Sequence, residues 1–208
     1  MHECGLKLHT KVRVVGGGKM PMSLNRQVPY LVLATKLSIP QSPIHLVKRE
    51  RLMEKMNRSL HCKLSTVVAP TGFGKSIFVS DWLRSTPVPM KAGWLSLDSG
   101  ENDLERFWHY VIFSLNKHYP GIGHKALSLM QSLISVSIEH VVALFINDLC
   151  AIDDRIVLVW DDYHLIRSEE VHRSVQFFWN ECQLMFIFVS SAGRFLRCRL
   201  GDCALKAS

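Results

Sequence analysis

The sequence predicts an α/β fold, a parallel sheet with helices on both faces, and three observations carry that prediction. Apolar runs of strand length alternate along the chain with longer stretches of helical periodicity, the pattern of parallel strands joined by helical crossovers. The β-branched run Leu64-Ser65-Thr66-Val67-Val68 leads into Ala69-Pro70-Thr71-Gly72-Phe73-Gly74-Lys75-Ser76 and then into a helical pattern over residues 77–83, which reads as strand, glycine-bearing loop and helix. Further on, the run Ile156-Val157-Leu158-Val159-Trp160 ends in Asp161-Asp162, as a buried parallel strand does when it delivers carboxylates to the C-terminal edge of its sheet.

Size and composition fit this fold. With 208 residues, 48% of them hydrophobic, the chain has material for one large α/β domain or one domain with appendages. No apolar run reaches the roughly 18 residues of a membrane span, so no membrane partner is expected. Part of the net charge of +7 falls in the N-terminal stretch, where Lys7, Lys11, Arg13, Lys19 and Arg26 face Glu3 alone. Such a tail binds nucleic acid or anionic surfaces, or is a solvated disordered segment, and the second reading is the commoner one. Cys4, Cys62, Cys150, Cys182, Cys198 and Cys203 show no C-x-x-C spacing, and no His or Cys pair completes a ligand set. Neither a zinc site nor a disulfide framework is indicated, and thiols in a reducing compartment are expected. The N-terminus lacks the continuous apolar segment of a secretory signal, and a cytoplasmic location is the resulting expectation.

Taken in order, residues 1–32 read as an irregular basic extension. Gly16-Gly17-Gly18-Lys19 has neither the spacing of a phosphate loop nor a clear following helix, and Pro21 and Pro29 break regular structure. Residues 33–191 read as a single domain. After Pro40 and Pro43, a helix is expected from about Val47 to about Leu60, with Leu52, Met56 and Leu60 on one face. Arg49 and Arg51 read either as surface charges or as part of a segment that lids a bound base. Beyond the first strand and its helix, Thr86-Pro87-Val88-Pro89 turns the chain and residues 92–98 read as a second strand. Asp98 either caps the next turn or approaches a metal shell; its place before Ser99-Gly100-Glu101-Asn102-Asp103 favours the cap. The helical pattern over residues 104–117 carries a wide apolar stripe of Phe107, Trp108, Val111, Ile112 and Leu115, suited to a core. Pro120-Gly121-Ile122-Gly123 interrupts the chain, and helical patterns over 126–133 and 138–150 precede the acidic strand. His164, just after it, is open to two readings, a γ-phosphate sensor or a hydrogen-bonding loop residue. A helix over 169–179 and a strand over 184–190 complete the alternation, and residues 192–208 read as an irregular tail.

The two motifs carry the chemistry. Apart from Ala69 in place of Gly, the loop matches G-x-x-x-x-G-K-[ST], whose backbone N–H groups wrap a triphosphate. Gly72 and Gly74 permit positive φ and close backbone approach, and the helix N-terminus beyond them offers unpaired N–H groups to an anion. Lys75 is expected to reach the β- and γ-phosphates and the Ser76 hydroxyl to ligate Mg²⁺. The candidate cofactor-binding residues are thus Thr71, Gly72, Phe73, Gly74, Lys75 and Ser76, and the candidate metal ligands are Ser76 and Asp161, the latter directly or through water. Asp162 is the candidate catalytic residue, polarising an attacking water. The plainer readings are a strand-to-helix turn holding two glycines and a lysine, and a solvated turn after a core strand. Both motifs in the expected order argue against coincidence.

Several segments together resemble, in order, the amino-terminal part of the large ATP-dependent LuxR-type transcriptional regulators, the MalT family. They are Leu33-Ala34-Thr35-Lys36-Leu37, Val47-x-Arg49-x-Arg51-Leu52, the phosphate loop, Trp94-Leu95-Ser96-Leu97-Asp98, Asp103-x-x-Arg106-Phe107-Trp108 and Asp161-Asp162-Tyr163-His164-Leu165-Ile166. The resemblance runs from about Leu33 to Ser191. It implies a P-loop NTPase of the ASCE/STAND type that binds ATP or ADP with Mg²⁺, ATP in preference to GTP, and at most a slow Mg²⁺-dependent ATPase. It also implies a switch in which inducer and ATP convert an ADP-bound monomer into a self-associated, transcription-activating form, DNA being reached only through a C-terminal helix-turn-helix domain. That domain and the helical-repeat sensor before it are not found in this sequence, so the expectation is a truncated product. Ala192 stands where the resemblance implies a nucleotide-sensing arginine, and residues 195–208 lack the implied prolines, as a frameshift near Ser191 would produce. The alternatives are a fragment without function and a free-standing P-loop ATPase or kinase, although no cluster of lid arginines follows the acidic strand.

Overall fold

The computed structural model describes residues 31–42, 49–132, 136–191 and 204–206. Four parallel strands, β1 (Leu64–Val68), β2 (Lys91–Ser96), β3 (Ile156–Asp161) and β4 (Met185–Ser190), lie side by side in the order β2-β3-β4-β1. A three-residue strand, β5 (Ala204–Lys206), pairs parallel with the free edge of β1. The stretch 192–208, expected to be irregular, therefore contributes one edge strand, and its remaining residues lie outside those described, as does the basic extension up to residue 30. Among the described residues α1 (Glu50–Arg58) precedes β1, and α2 (Lys75–Ser85), α3 (Leu104–Asn116), α4 (His124–Met130), α5 (Ile138–Cys150) and α6 (Glu169–Glu181) fill the connections between strands.

This strand order decides which helix covers which face. The crossover from β1 to β2 runs across the sheet in one direction, and those from β2 to β3 and β3 to β4 run back in the other. Right-handed crossovers then put α2 on one face and α3 to α6 on the opposite face. The side chains sort accordingly with the two-residue period of a strand. Val157 and Val159 of β3 and Ile187 and Val189 of β4 pack with Met56 of α1 and with Val79 and Trp82 of α2. Leu158, Trp160, Phe186 and Phe188 point the other way, into a larger core with Phe107, Trp108, Phe145 and Phe178. That core is built from aromatic pairs: Trp160 stacks on Phe188 at 5.1 Å, Tyr163 stacks on Phe188 at 4.7 Å, and Trp108 meets Phe178 edge-on at 5.2 Å. The stripe expected to be core on α3 is core.

Local signals account for the helix ends. Asp103 caps α3 by accepting the N–H of Arg106 at 2.8 Å, and Ser168 caps α6 through the N–H of Val171. Asp98 is a cap as expected: its carboxylate accepts the N–H of Gly100 at 2.7 Å, while Glu101 accepts the N–H of Asp98 at 2.8 Å, a reciprocal capping box. Gly93 on β2 is required by packing, since a Cβ there would meet Leu115, Leu158 and Ser114 at 2.8 Å. Among the described residues no helix is long and apolar enough to cross a membrane.

Candidate functional site

The phosphate loop joins the C-terminal end of β1 to α2. Gly72 (φ 85°) and Gly74 (φ 69°) both take the left-handed backbone that their lack of Cβ permits. A Cβ added at either would meet nothing within 4 Å, so it is the left-handed backbone and not crowding that calls for glycine at these positions. α2 begins two residues earlier than the periodicity suggested, at Lys75, with Gly74 as its N-cap, no side-chain cap and no acidic residue in its first turn. Its leading N–H groups are thus left for an anion. Lys75 is buried, and its ammonium donates to the Pro70 carbonyl at 3.1 Å, inside the turn of its own loop.

The fold brings Asp161 to this loop across the intervening β4. Asp161 ends β3, is 5% exposed, and its carboxylate is hydrogen-bonded by the Ser76 hydroxyl. Burial pushes this carboxyl above the ordinary carboxylate range; the neighbouring Asp162 charge adds to the shift, while the Ser76 hydroxyl and the Lys75 ammonium oppose it. A buried carboxylate beside a hydroxyl at the mouth of a backbone cradle fits Mg²⁺, which is commonly held by one or two protein oxygens plus substrate phosphates. Among the described residues no cluster of three or more His, Cys, Asp or Glu forms a self-sufficient metal site, so the phosphates would have to complete the coordination. The residues present therefore fit a nucleotide with Mg²⁺.

The other expected residues are gathered less tightly. Asp162 turns out of β3 in the left-handed region (φ 57°), with its side chain 48% exposed and its Oδ1 3.8 Å from Nδ1 of His164. His164 Nδ1 accepts the N–H of Ser191 at 3.4 Å. Ser191, just beyond β4, also pairs through its hydroxyl with Thr71 of the loop at 3.2 Å. The chain from Thr71 through Ser191 and His164 to Asp162 thus borders one side of the site. Phe73 is 58% exposed, and its carbonyl accepts Nη1 of Arg49 at 3.5 Å, which brings the segment before α1 against the loop. Arg51 is exposed.

No family profile matches the chain. Over 148 residues, 71% of its length, it is 32% identical to the HTH-type transcriptional regulator MalT of Cronobacter sakazakii. The chain is a MalT homologue. It spans about 16% of that relative's length. Among solved structures, the Aeropyrum pernix ORC1 protein in complex with DNA matches with TM-score 0.51 at 15% identity, covering 79% of this chain and 46% of its own. Cdc6p from Pyrobaculum aerophilum matches with TM-score 0.52 at 13% identity, covering 84% of this chain and 49% of its own. At these identities the likeness speaks for the fold, and the fold of this MalT homologue is that of a P-loop NTPase, α/β with a parallel sheet flanked by helices on both faces.

One cluster joins three of the MalT-like segments through Glu101, a residue that none of those motifs includes. Lys36, on the 3-10 turn Ala34–Leu37, pairs with Asp98 at 2.8 Å and with Glu101 at 2.7 Å, and Glu101 also binds Arg106 at 3.0 Å. The residues come from three separate segments, and charged residues in turns ordinarily face water, so nothing local marks Glu101 as buried.

Proposed function

We propose that this chain is the ATP-binding switch module of a MalT-type transcriptional regulator, taking ATP or ADP with Mg²⁺. The observation that supports this most directly is the meeting of Ser76 with Asp161, which joins two motifs distant in sequence into one polar pair at the mouth of the loop. Thr71, Gly72, Phe73, Gly74, Lys75 and Ser76 bind the phosphates, chiefly through backbone N–H groups, with Lys75 exchanging the Pro70 carbonyl for phosphate oxygens. Ser76 and Asp161 hold the metal, which when bound polarises a phosphoryl oxygen. Asp162 orients the attacking water from its half-exposed turn, and the segment carrying Arg49, which hydrogen-bonds the Phe73 carbonyl, is the candidate cover for the base. Turnover is slow, because a switch needs a long-lived bound state. Control of transcription through a DNA-binding domain is part of the same proposal and rests on that relative's being an HTH-type transcriptional regulator; self-association is part of it as well and rests on the resemblance set out above.

Titration calorimetry of the chain with ATP and ADP, with and without Mg²⁺, tests the reading. Saturable Mg²⁺-dependent binding is expected, weakened about 100-fold by Lys75→Ala through the loss of charge-assisted contacts. Absence of binding by the folded wild-type chain would overturn it.

A further inference from the structure

At the edge of the sheet opposite the phosphate loop, a cavity of about 570 Å³ opens where three connections meet. These are the entry to β1, the link from α5 to β3 and the link from α6 to β4. The volume suits a small organic ligand. Leu149, Ile156 and Met185, all buried, line it together with Ile152. Two cations, Lys63 and Arg155, line the same space, and among the described residues neither is in an ion pair. Lys63 instead rests 4.9 Å over the Trp179 ring and donates to the Asn180 carbonyl at 3.3 Å. Asp154, the one acid in the lining, accepts the Tyr119 hydroxyl at 2.7 Å.

Apolar side chains and two cations without ion-pair partners in one lining match an amphipathic anion, since the apolar side chains take up an apolar body and the cations gain the carboxylate they lack. We propose that this cavity binds a small organic acid, its apolar body against Leu149, Ile152, Ile156 and Met185 and its carboxylate toward Lys63 and Arg155. The site is separate from the nucleotide reading and does not depend on it.

The cavity carries its own reporters. Each of the three connections brings one cysteine to the lining: Cys62 before β1, Cys150 at the end of α5 and Cys182 after α6. Cys150 is exposed, whereas Cys182 is buried and its thiol is pushed up by that burial, so Cys150 is the faster of these two to alkylate. Alkylation of the full chain by iodoacetamide, read at Cys150 by mass spectrometry, is measured with sodium octanoate as the probe and octylammonium as its charge-reversed control. Octanoate is expected to slow the reaction saturably and octylammonium to leave it unchanged. Arg155→Ala, at an exposed position, is expected to raise the octanoate concentration needed by about tenfold, the loss of one charge-assisted contact. Octanoate that gives no saturable protection, or octylammonium that protects equally, would overturn the proposal. Lys75→Ala is expected to keep octanoate protection while its nucleotide binding is weakened, which tells failure of this site from failure of the other.

Discussion

Lys36 Nζ stands 2.7 Å from each carboxylate oxygen of Glu101, a side chain with no exposure to solvent. Arg106 Nε reaches the same carboxylate at 3.0 Å, and the Asp98 N–H donates to it at 2.8 Å. Burial of this charge is offset only because every partner is present. Glu101→Gln leaves two cations facing a neutral amide, and the expected loss is about 3 kcal/mol of unfolding free energy. Urea unfolding followed by tryptophan fluorescence measures it, and a loss indistinguishable from zero would mean that the cluster does not pin the Lys36 turn to α3.

The pH dependence of the same cluster has a defined sign. The hydrogen bond from Lys36, together with the Gly100 N–H, holds the Asp98 carboxyl below its ordinary value of 3.8. A depressed folded-state value means stability that is present above the ordinary value and is lost as pH falls through the folded one. The stability difference between wild type and Asp98→Asn should therefore be constant at neutral pH and shrink below pH 3.8. Parallel urea titrations across the acid range check this, and a difference that grows on acidification would contradict it.

Two glycines separate binding from packing. At Gly93 a Cβ collides with Leu115, Leu158 and Ser114 at 2.8 Å, so Gly93→Ala should cost about 1–3 kcal/mol by overpacking and leave the phosphate loop unaltered. At Gly74 the space is open and only the left-handed backbone resists, so Gly74→Ala should cost about 1–2 kcal/mol of stability. Gly74→Ala is also expected to weaken nucleotide binding. Thermal unfolding and ATP titration of both variants, run side by side, show whether the two effects come apart as expected.

The adjacent acids should divide by task. Asp161→Asn removes the buried carboxylate beside Ser76 and is expected to abolish the Mg²⁺ dependence of ATP binding. Asp162→Asn, at a half-exposed turn position, should keep affinity within about twofold and reduce turnover by about 100-fold, the range of one general-base or water-orienting group. Calorimetry and a phosphate-release assay separate the two. Equal loss of affinity in both variants would remove the distinction.

The four longer strands, the helices and the two chemical motifs were legible in the sequence because each is a local property, whereas the edge strand Ala204–Lys206, too short to show a period, was not. Hydrophobic period, β-branching, turn residues and the G-x-x-x-x-G-K-[ST] spacing are written into neighbouring positions, and the aromatic stripe of α3 declared its burial through its 3.6-residue period. The tertiary structure alone decided what those elements bring together. Crossover direction placed β4 between β1 and β3 and so set Ser76 against Asp161. It buried Glu101 between Lys36 and Arg106, and it converged Cys62, Cys150 and Cys182 on one cavity although no spacing between them hints at it. Such contacts join residues far apart along the chain, and their energies depend on desolvation, which is fixed only when the helices close over the sheet.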